Sequence, residues 1–213
     1  SLEPYKDKTT DKELMAKLPA PGKVDKKKKN KKLGYETWTL ENGIKVVVKP
    51  TNFKEDEILF RAFSAGGWSN YGLKDDVSAS IAADIMSESG IGDFSKLELE
   101  KYLSDKMVRV NPYVSELSEG LSGSTSPQDI ETFRQLVHLH FTKPRKDQEA
   151  YESYINKMRG YLENQGASPE NAFRDSIGVI MSNNHPRKKP LTAERLSEAD
   201  FKRVTYIYRQ RFA

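Results

Sequence analysis

An α+β fold follows from three features of this chain of 213 residues. Strand-like segments separated by turn signals occupy residues 34–124 with a helix inserted among them, segments of helical period fill the rest, and Gly, Pro, Ser or Asp marks most junctions. This order predicts a mostly antiparallel sheet of about five strands packed against helices.

Residues 1–33 mix Pro19, Pro21 and Gly22 with many charges and few large apolar groups. Such a segment buries too little surface to offset its ordering entropy and is predicted to be a basic flexible linker, with the domain proper at 34–213. The character changes at Gly34. Alternation over 35–40, the turn pair Asn42-Gly43 and the β-branched run at 44–48 predict a hairpin. A third strand at 58–64 ends on Ala65-Gly66-Gly67.

A helix follows, with Asp75 or Asp76 as cap, Val77, Ile81, Ala82 and Ile85 on one face, and a stop near Gly90. Ser95 with Glu98 forms a capping-box pattern for a short helix, and strands are predicted at 108–113 and 117–124. Ser126-Pro127 opens a helix carrying Ile130, Phe133, Val137 and Phe141. Three more helices are predicted from Tyr151, Tyr154, Ile155, Met158 and Leu162, from Phe173, Ile177 and Ile180 after Ser168-Pro169, and from Phe201, Val204 and Tyr208 after Ser197 and Asp200. Tyr151, Tyr154 and Tyr161 read as core packing rather than as a binding box.

Composition narrows the function classes. The absence of cysteine excludes disulfide scaffolds, thiolate zinc sites and cysteine nucleophiles. No apolar run approaches the ~20 residues of a bilayer-spanning helix. The opening Ser1-Leu2-Glu3-Pro4 reads as a cut into a longer chain. The net charge of +4 is concentrated in Lys26-Lys27-Lys28-Lys29-Asn30-Lys31-Lys32. That run lacks interleaved aromatics and arginines, so a solvated linker accounts for it better than nucleic-acid binding.

Candidate chemistry is sparse. His138 and His140, two apart on a helix, point about 200° apart and do not converge on one metal. His185 before Pro186 reads as a loop anchor. Asp84 and Glu88 share a helix face at i, i+4 and read as a solvated carboxylate face rather than an acid/base pair. Gly66-Gly67 precedes a helix but lacks the Gly-Lys-Ser/Thr ending of a phosphate loop. No catalytic and no metal-ligating residue is assigned, and substrate-binding residues are left unknown.

Order and spacing add a family likeness. The strand, glycine bend and helix over 60–92 with Phe94-Ser95-Lys96-Leu97-Glu98, the stretch Leu121-Ser122-Gly123-Ser124-Thr125-Ser126-Pro127-Gln128-Asp129, and the group Asn184-His185-Pro186-Arg187-Lys188-Lys189-Pro190 come in sequence. Leu196-Ser197-Glu198-Ala199-Asp200-Phe201 and Tyr208-Arg209-Gln210-Arg211-Phe212 complete it. The whole of 34–213 resembles a domain of the pitrilysin/insulinase zinc metallopeptidases. In active domains of that family the corresponding helix carries the inverted zinc motif H-x-x-E-H. Here it reads Ser78-Ala79-Ser80-Ile81-Ala82-Ala83-Asp84-Ile85-Met86-Ser87-Glu88, and no histidine lies between Ser64 and Glu100.

The resemblance therefore implies a zinc-free segment of a two-half peptidase, inactive alone, with no cofactor of its own and zinc in the catalytic half. Its implied partners are that half and polypeptide substrates enclosed in a chamber, with neither nucleic acid nor a membrane span, in a bacterial periplasm or cell envelope. The rival is a non-peptidase binding or assembly module of the same fold. The family's substrate-orienting Arg/Tyr pair is expected past residue 213 and is not transferred to Tyr208 or Arg209. The last strand of the sheet is expected there too, which predicts an unpaired edge and possible edge-strand self-association.

Overall fold

The computed structural model describes residues 12–166 and 168–212. It divides into two compact units, residues 15–57 and residues 58–213 joined by the segment before Met15.

The smaller unit is an antiparallel meander of β1 (Val24–Asn30), β2 (Tyr35–Leu40) and β3 (Lys45–Val48), with β2 central. Gly43, at φ 85°, donates its N–H to the Leu40 carbonyl and closes the predicted hairpin. β1 departs from the sequence reading, which placed its lysines in a flexible linker. Its backbone pairs with β2 from Val24 to Asn30, with one irregularity at Asp25. A lysine stem is long and apolar enough to lie on a sheet while its ammonium stays in water, so charge density alone does not keep such a run out of a strand. Residues 1–11 of the predicted linker lie outside the described residues. Lys12 and Leu14 also depart from that reading: the Lys12 ammonium sits 4.6 Å from the Phe94 ring centroid, and Leu14 is buried.

The larger unit holds a second antiparallel sheet of β4 (Ile58–Ala65), β5 (Val108–Val114) and β6 (Ser118–Thr125), in the order β4-β6-β5. Six strands among the described residues thus stand in two sheets of three, against about five predicted for one sheet. β4 and β5 each pair only with β6 among the described residues, which leaves their outer edges open.

Eight α-helices complete the chain's described residues. α1 (Asp76–Ser80) and α2 (Ala82–Ser89) replace the single helix expected after the third strand. They meet at Ile81, whose backbone leaves helical geometry at φ −100°, ψ 3°. Gly90 then ends α2 at φ 88°. α3 (Lys96–Tyr102) has the predicted capping box, with the Ser95 side chain accepting from the Glu98 N–H and Glu98 accepting from the Ser95 N–H. Such a box contributes about 1 kcal/mol to the helix start. α4 (Ile130–Thr142) begins later than predicted, because Ser126 and Asp129 first bond each other in a turn.

α5 (Gln148–Gly166) buries Ile155 and half-buries Tyr151, Tyr154, Met158 and Leu162, as its spacing predicts, but leaves Tyr161 exposed. α6 (Pro169–Met181) departs further. The face predicted to be core, Phe173, Ile177 and Ile180, is exposed. α7 (Ala193–Leu196) precedes α8 (Phe201–Phe212), where Asp200 accepts from the Arg203 N–H and caps the helix.

Among the described residues, two apolar clusters help hold this unit. Val77, Ile81, Ile85, Ile155, Leu196, Val204 and Ile207 form one, between α1, α2, α5, α7 and α8. Met86, Leu121, Tyr208 and Phe212 form the other, joining β6 to α2 and α8. Each large side chain buried in this way contributes roughly 1.5–3 kcal/mol of transfer free energy.

Candidate functional site

The site that the family likeness singles out is the bend after β4 and the helix pair behind it. At the bend, Gly67 takes φ 77°, and its N–H donates to a carboxylate oxygen of Glu119 on β6, a buried residue. Arg211 of α8 reaches the same carboxylate at 3.8 Å. The glycine turn already faces an anion of the chain itself, which is the opposite of a phosphate cradle.

Past the bend, Asp75 and Asp76 are buried at the start of α1. The sequence offers them as caps, but neither caps the helix through its side chain; arginines from the far end of the chain take them instead. The Asp75 carboxylate receives two hydrogen bonds from Arg203, at 2.9 and 2.8 Å. Asp76 receives Arg187 at 3.0 Å and Arg195 at 3.1 Å. Arg187 also donates to the Tyr71 carbonyl and lies over the Trp68 ring. Charge-assisted bonds of this kind are about twice as strong as neutral ones, so they lock the 184–196 segment and α8 onto the start of α1. Nothing local in the sequence announces these pairs, since the partners lie more than a hundred residues apart.

Along α1 and α2, Val77, Ala79, Ala82, Ala83, Ile85 and Met86 are buried, and Ser80, Asp84 and Ser87 face solvent. The carboxylates on this face are less free than a solvated face would be. The Tyr154 hydroxyl of α5 donates to Asp84 at 3.3 Å. Partial desolvation beside α5 raises the Asp84 carboxyl above its ordinary value although the side chain stays open to solvent, Tyr154 pulls it back, and Glu88 adds repulsion. Glu88 is held by Lys96 at 2.6 Å. No group of three or more His, Cys, Asp or Glu side chains among the described residues is arranged to hold a metal ion.

His140 and His185 each have a hydrogen-bonding partner within the fold. His140, part-buried on α4, has Nδ1 3.0 Å from the Tyr208 hydroxyl of α8, and desolvation there pushes its pKa down to about 4. His185 Nδ1 accepts from the Arg187 N–H and caps the turn at Pro186–Lys188. Tyr208 is fully buried, whereas Arg209 is exposed beside it.

No family model matches this sequence. It is 30% identical over 200 residues to the "Zinc protease PQQL-like" protein of Arabidopsis thaliana, a match that covers 93% of this chain and 18% of that protein. The fold matches the crystal structure of the periplasmic protease PqqL from Escherichia coli, with a TM-score of 0.80, 19% identity, and coverage of 99% of this chain and 23% of that one. The ferredoxin protease FusC, solved in complex with Arabidopsis ferredoxin, matches with a TM-score of 0.78 at 16% identity, again over 99% and 23% of the two chains. These matches support kinship with the insulinase-like zinc proteases. The chain spans about a fifth of the length of these relatives. Within this chain the first histidine is His138, so the α1–α2 pair carries no imidazole.

Proposed function

We propose that this chain is the zinc-free part of a two-half metallopeptidase, a wall of the chamber that encloses the substrate, packed against the half that carries zinc. One observation carries the reading. The α1–α2 pair buries most of its side chains in the core, and its outward positions hold Ser80, Asp84 and Ser87 where a zinc helix needs two imidazoles one turn apart. Asp84 and Glu88 are engaged by Tyr154 and Lys96, and no group of three or more potential metal ligands stands among the described residues.

The names of the similar proteins support zinc in the other half of the parent protein, and the share of their length spanned here supports a partial segment. The Escherichia coli relative is described as periplasmic, which favours that compartment. FusC was solved with a protein bound, which favours polypeptides as what the whole protein handles.

The test is direct. The purified chain is expected to hold substoichiometric zinc by metal analysis and to leave an unstructured peptide intact, while raising the activity of the parent's zinc-bearing half when the two are combined. One tightly held zinc per chain with chelator-sensitive hydrolysis would overturn the proposal, and so would no effect on the zinc-bearing half.

A further inference from the structure

Once folded into β1, the lysine run becomes two different surfaces, because alternate side chains of a strand point to opposite faces. On one face the lysines are engaged. Lys27 lies 4.6 Å over the Trp38 ring, Lys29 pairs with Glu36 at 3.7 Å, and Trp38 Nε1 donates to the same carboxylate at 3.1 Å. On the other face Lys26, Lys28 and Asn30 stand opposite Thr39, Thr37 and Tyr35, and β3 adds Lys45 opposite Thr39. Directly opposed residues share a face, so three ammonium groups gather around two threonine hydroxyls. These six β1 and β2 residues line a shallow depression of about 330 Å³, and no carboxylate is among them.

We infer that this face binds an extended acidic segment of a polypeptide. Lysine is a poor strand former, and like charges on one face repel, so the arrangement costs stability unless an anion is present. β1 is an outer strand, and lysines there also discourage edge-to-edge pairing. Edge protection needs only charge, however; it does not call for pairing the lysines of one face while leaving the other face free of acids. Lys26 and Lys28 are separated by two strand residues, about 7 Å, which is the spacing of alternate carboxylates on an extended peptide. Thr37 and Thr39 supply hydroxyl donors between the charges. A single-stranded nucleic acid is the poorer fit: the face has no arginine, and its one aromatic, Tyr35, is half-buried with its hydroxyl accepting from Asn30 at 3.3 Å.

The choice of a polypeptide leans on the proposed function, but the experiment reads binding alone, so either can fail without the other. A fluorescein-labelled peptide of six Glu-Ser repeats is titrated with the full chain at low salt, and affinity is read by anisotropy. Lys26→Gln/Lys28→Gln and Lys27→Gln/Lys29→Gln remove the same charge from neighbouring positions on opposite faces. The first pair is expected to weaken binding on the order of tenfold, the loss of two solvent-exposed ion pairs, and the second by less than about twofold. Lys45→Gln, from a strand outside the run, is expected to weaken binding as well, and melting curves confirm that each variant is folded. Equal weakening by the two double variants, or no binding by the unaltered chain, would overturn the inference. So would tighter binding of a twelve-nucleotide oligothymidylate with the same dependence on Lys26 and Lys28, which would assign the face to nucleic acid.

Discussion

His140 Nδ1 lies 3.0 Å from the hydroxyl of Tyr208, a contact that joins α4 to α8 with the phenol fully buried. Burial keeps the phenol protonated and pushes the imidazole down to about 4 from an ordinary value near 6.5. Below the unfolded value the unfolded chain takes up a proton that the folded chain refuses until about pH 4. Stability from this site is therefore complete above about pH 6.5 and is lost as the pH falls toward 4, by about 3 kcal/mol in total. His140→Gln removes the titration while retaining a hydrogen-bonding group. Denaturant unfolding at pH 7 and pH 4.5 should show the unaltered chain losing about 2 kcal/mol more than the variant. Equal losses would mean that His140 charges freely in the folded state.

The bend after β4 makes a second prediction. At Gly67 a Cβ would lie 2.4 Å from the Ser115 carbonyl oxygen and 2.5 Å from that of Glu116, on backbone already at φ 77°. Gly67→Ala should cost about 2–4 kcal/mol. Gly72, five residues on, has φ −66° and open space around it, so Gly72→Ala should be neutral or stabilise by about half a kcal/mol. Thermal melts of the two variants check the contrast.

Much of this architecture is legible in the sequence wherever local chemistry decides it. The Asn42-Gly43 turn, the Ser95 and Glu98 box, the stop at Gly90 and the strands flanking residues 115–117 are all short-range signals, and the structure places them within a few residues of expectation. What could not be read depends on distant partners. The Asp75 and Asp76 clamps need arginines more than a hundred positions away, and the burial of His140 needs Tyr208. β1 was hidden because a lysine run has the composition of a linker, and only its pairing with β2 reveals its alternation. In the candidate site the missing imidazoles were plain from residue types alone, whereas the cover that Tyr154 gives Asp84 was not.

α6 shows the converse error, a helical period without a core behind it. Phe173, Ile180 and Met181 are 68%, 71% and 82% exposed, so polar replacements remove no buried contact. Phe173→Gln and Ile180→Gln should each change unfolding free energy by no more than about 0.5 kcal/mol. Ile85→Ala, in the core on α2, should cost about 2–5 kcal/mol. A large loss on α6 would show that its apolar face is covered in solution.

The last prediction concerns Asp76, which is held by two guanidinium groups while only 8% exposed. Arg187 and Arg195 have side-chain exposures of 14% and 21%, so removing the carboxylate leaves two enclosed cations without their counter-charge. Breaking a buried pair from one side costs about 3–5 kcal/mol, much of it the penalty of the stranded charge. Asp76→Ala should therefore destabilise by about 3 kcal/mol or more. The exposed Arg174 and Glu170 pair on α6, with side chains 70% and 81% exposed, supplies the control: Glu170→Ala should cost at most about half a kcal/mol. Combining Asp76→Ala with Arg187→Ala and Arg195→Ala should recover part of the loss, because the stranded charges leave with their side chains. If the triple variant is less stable than Asp76→Ala alone, the arginine stems, with the contacts of Arg187 to Trp68 and the Tyr71 carbonyl and of Arg195 to the Lys189 and Pro190 carbonyls, rather than the ion pairs, are what hold the 184–196 segment in place.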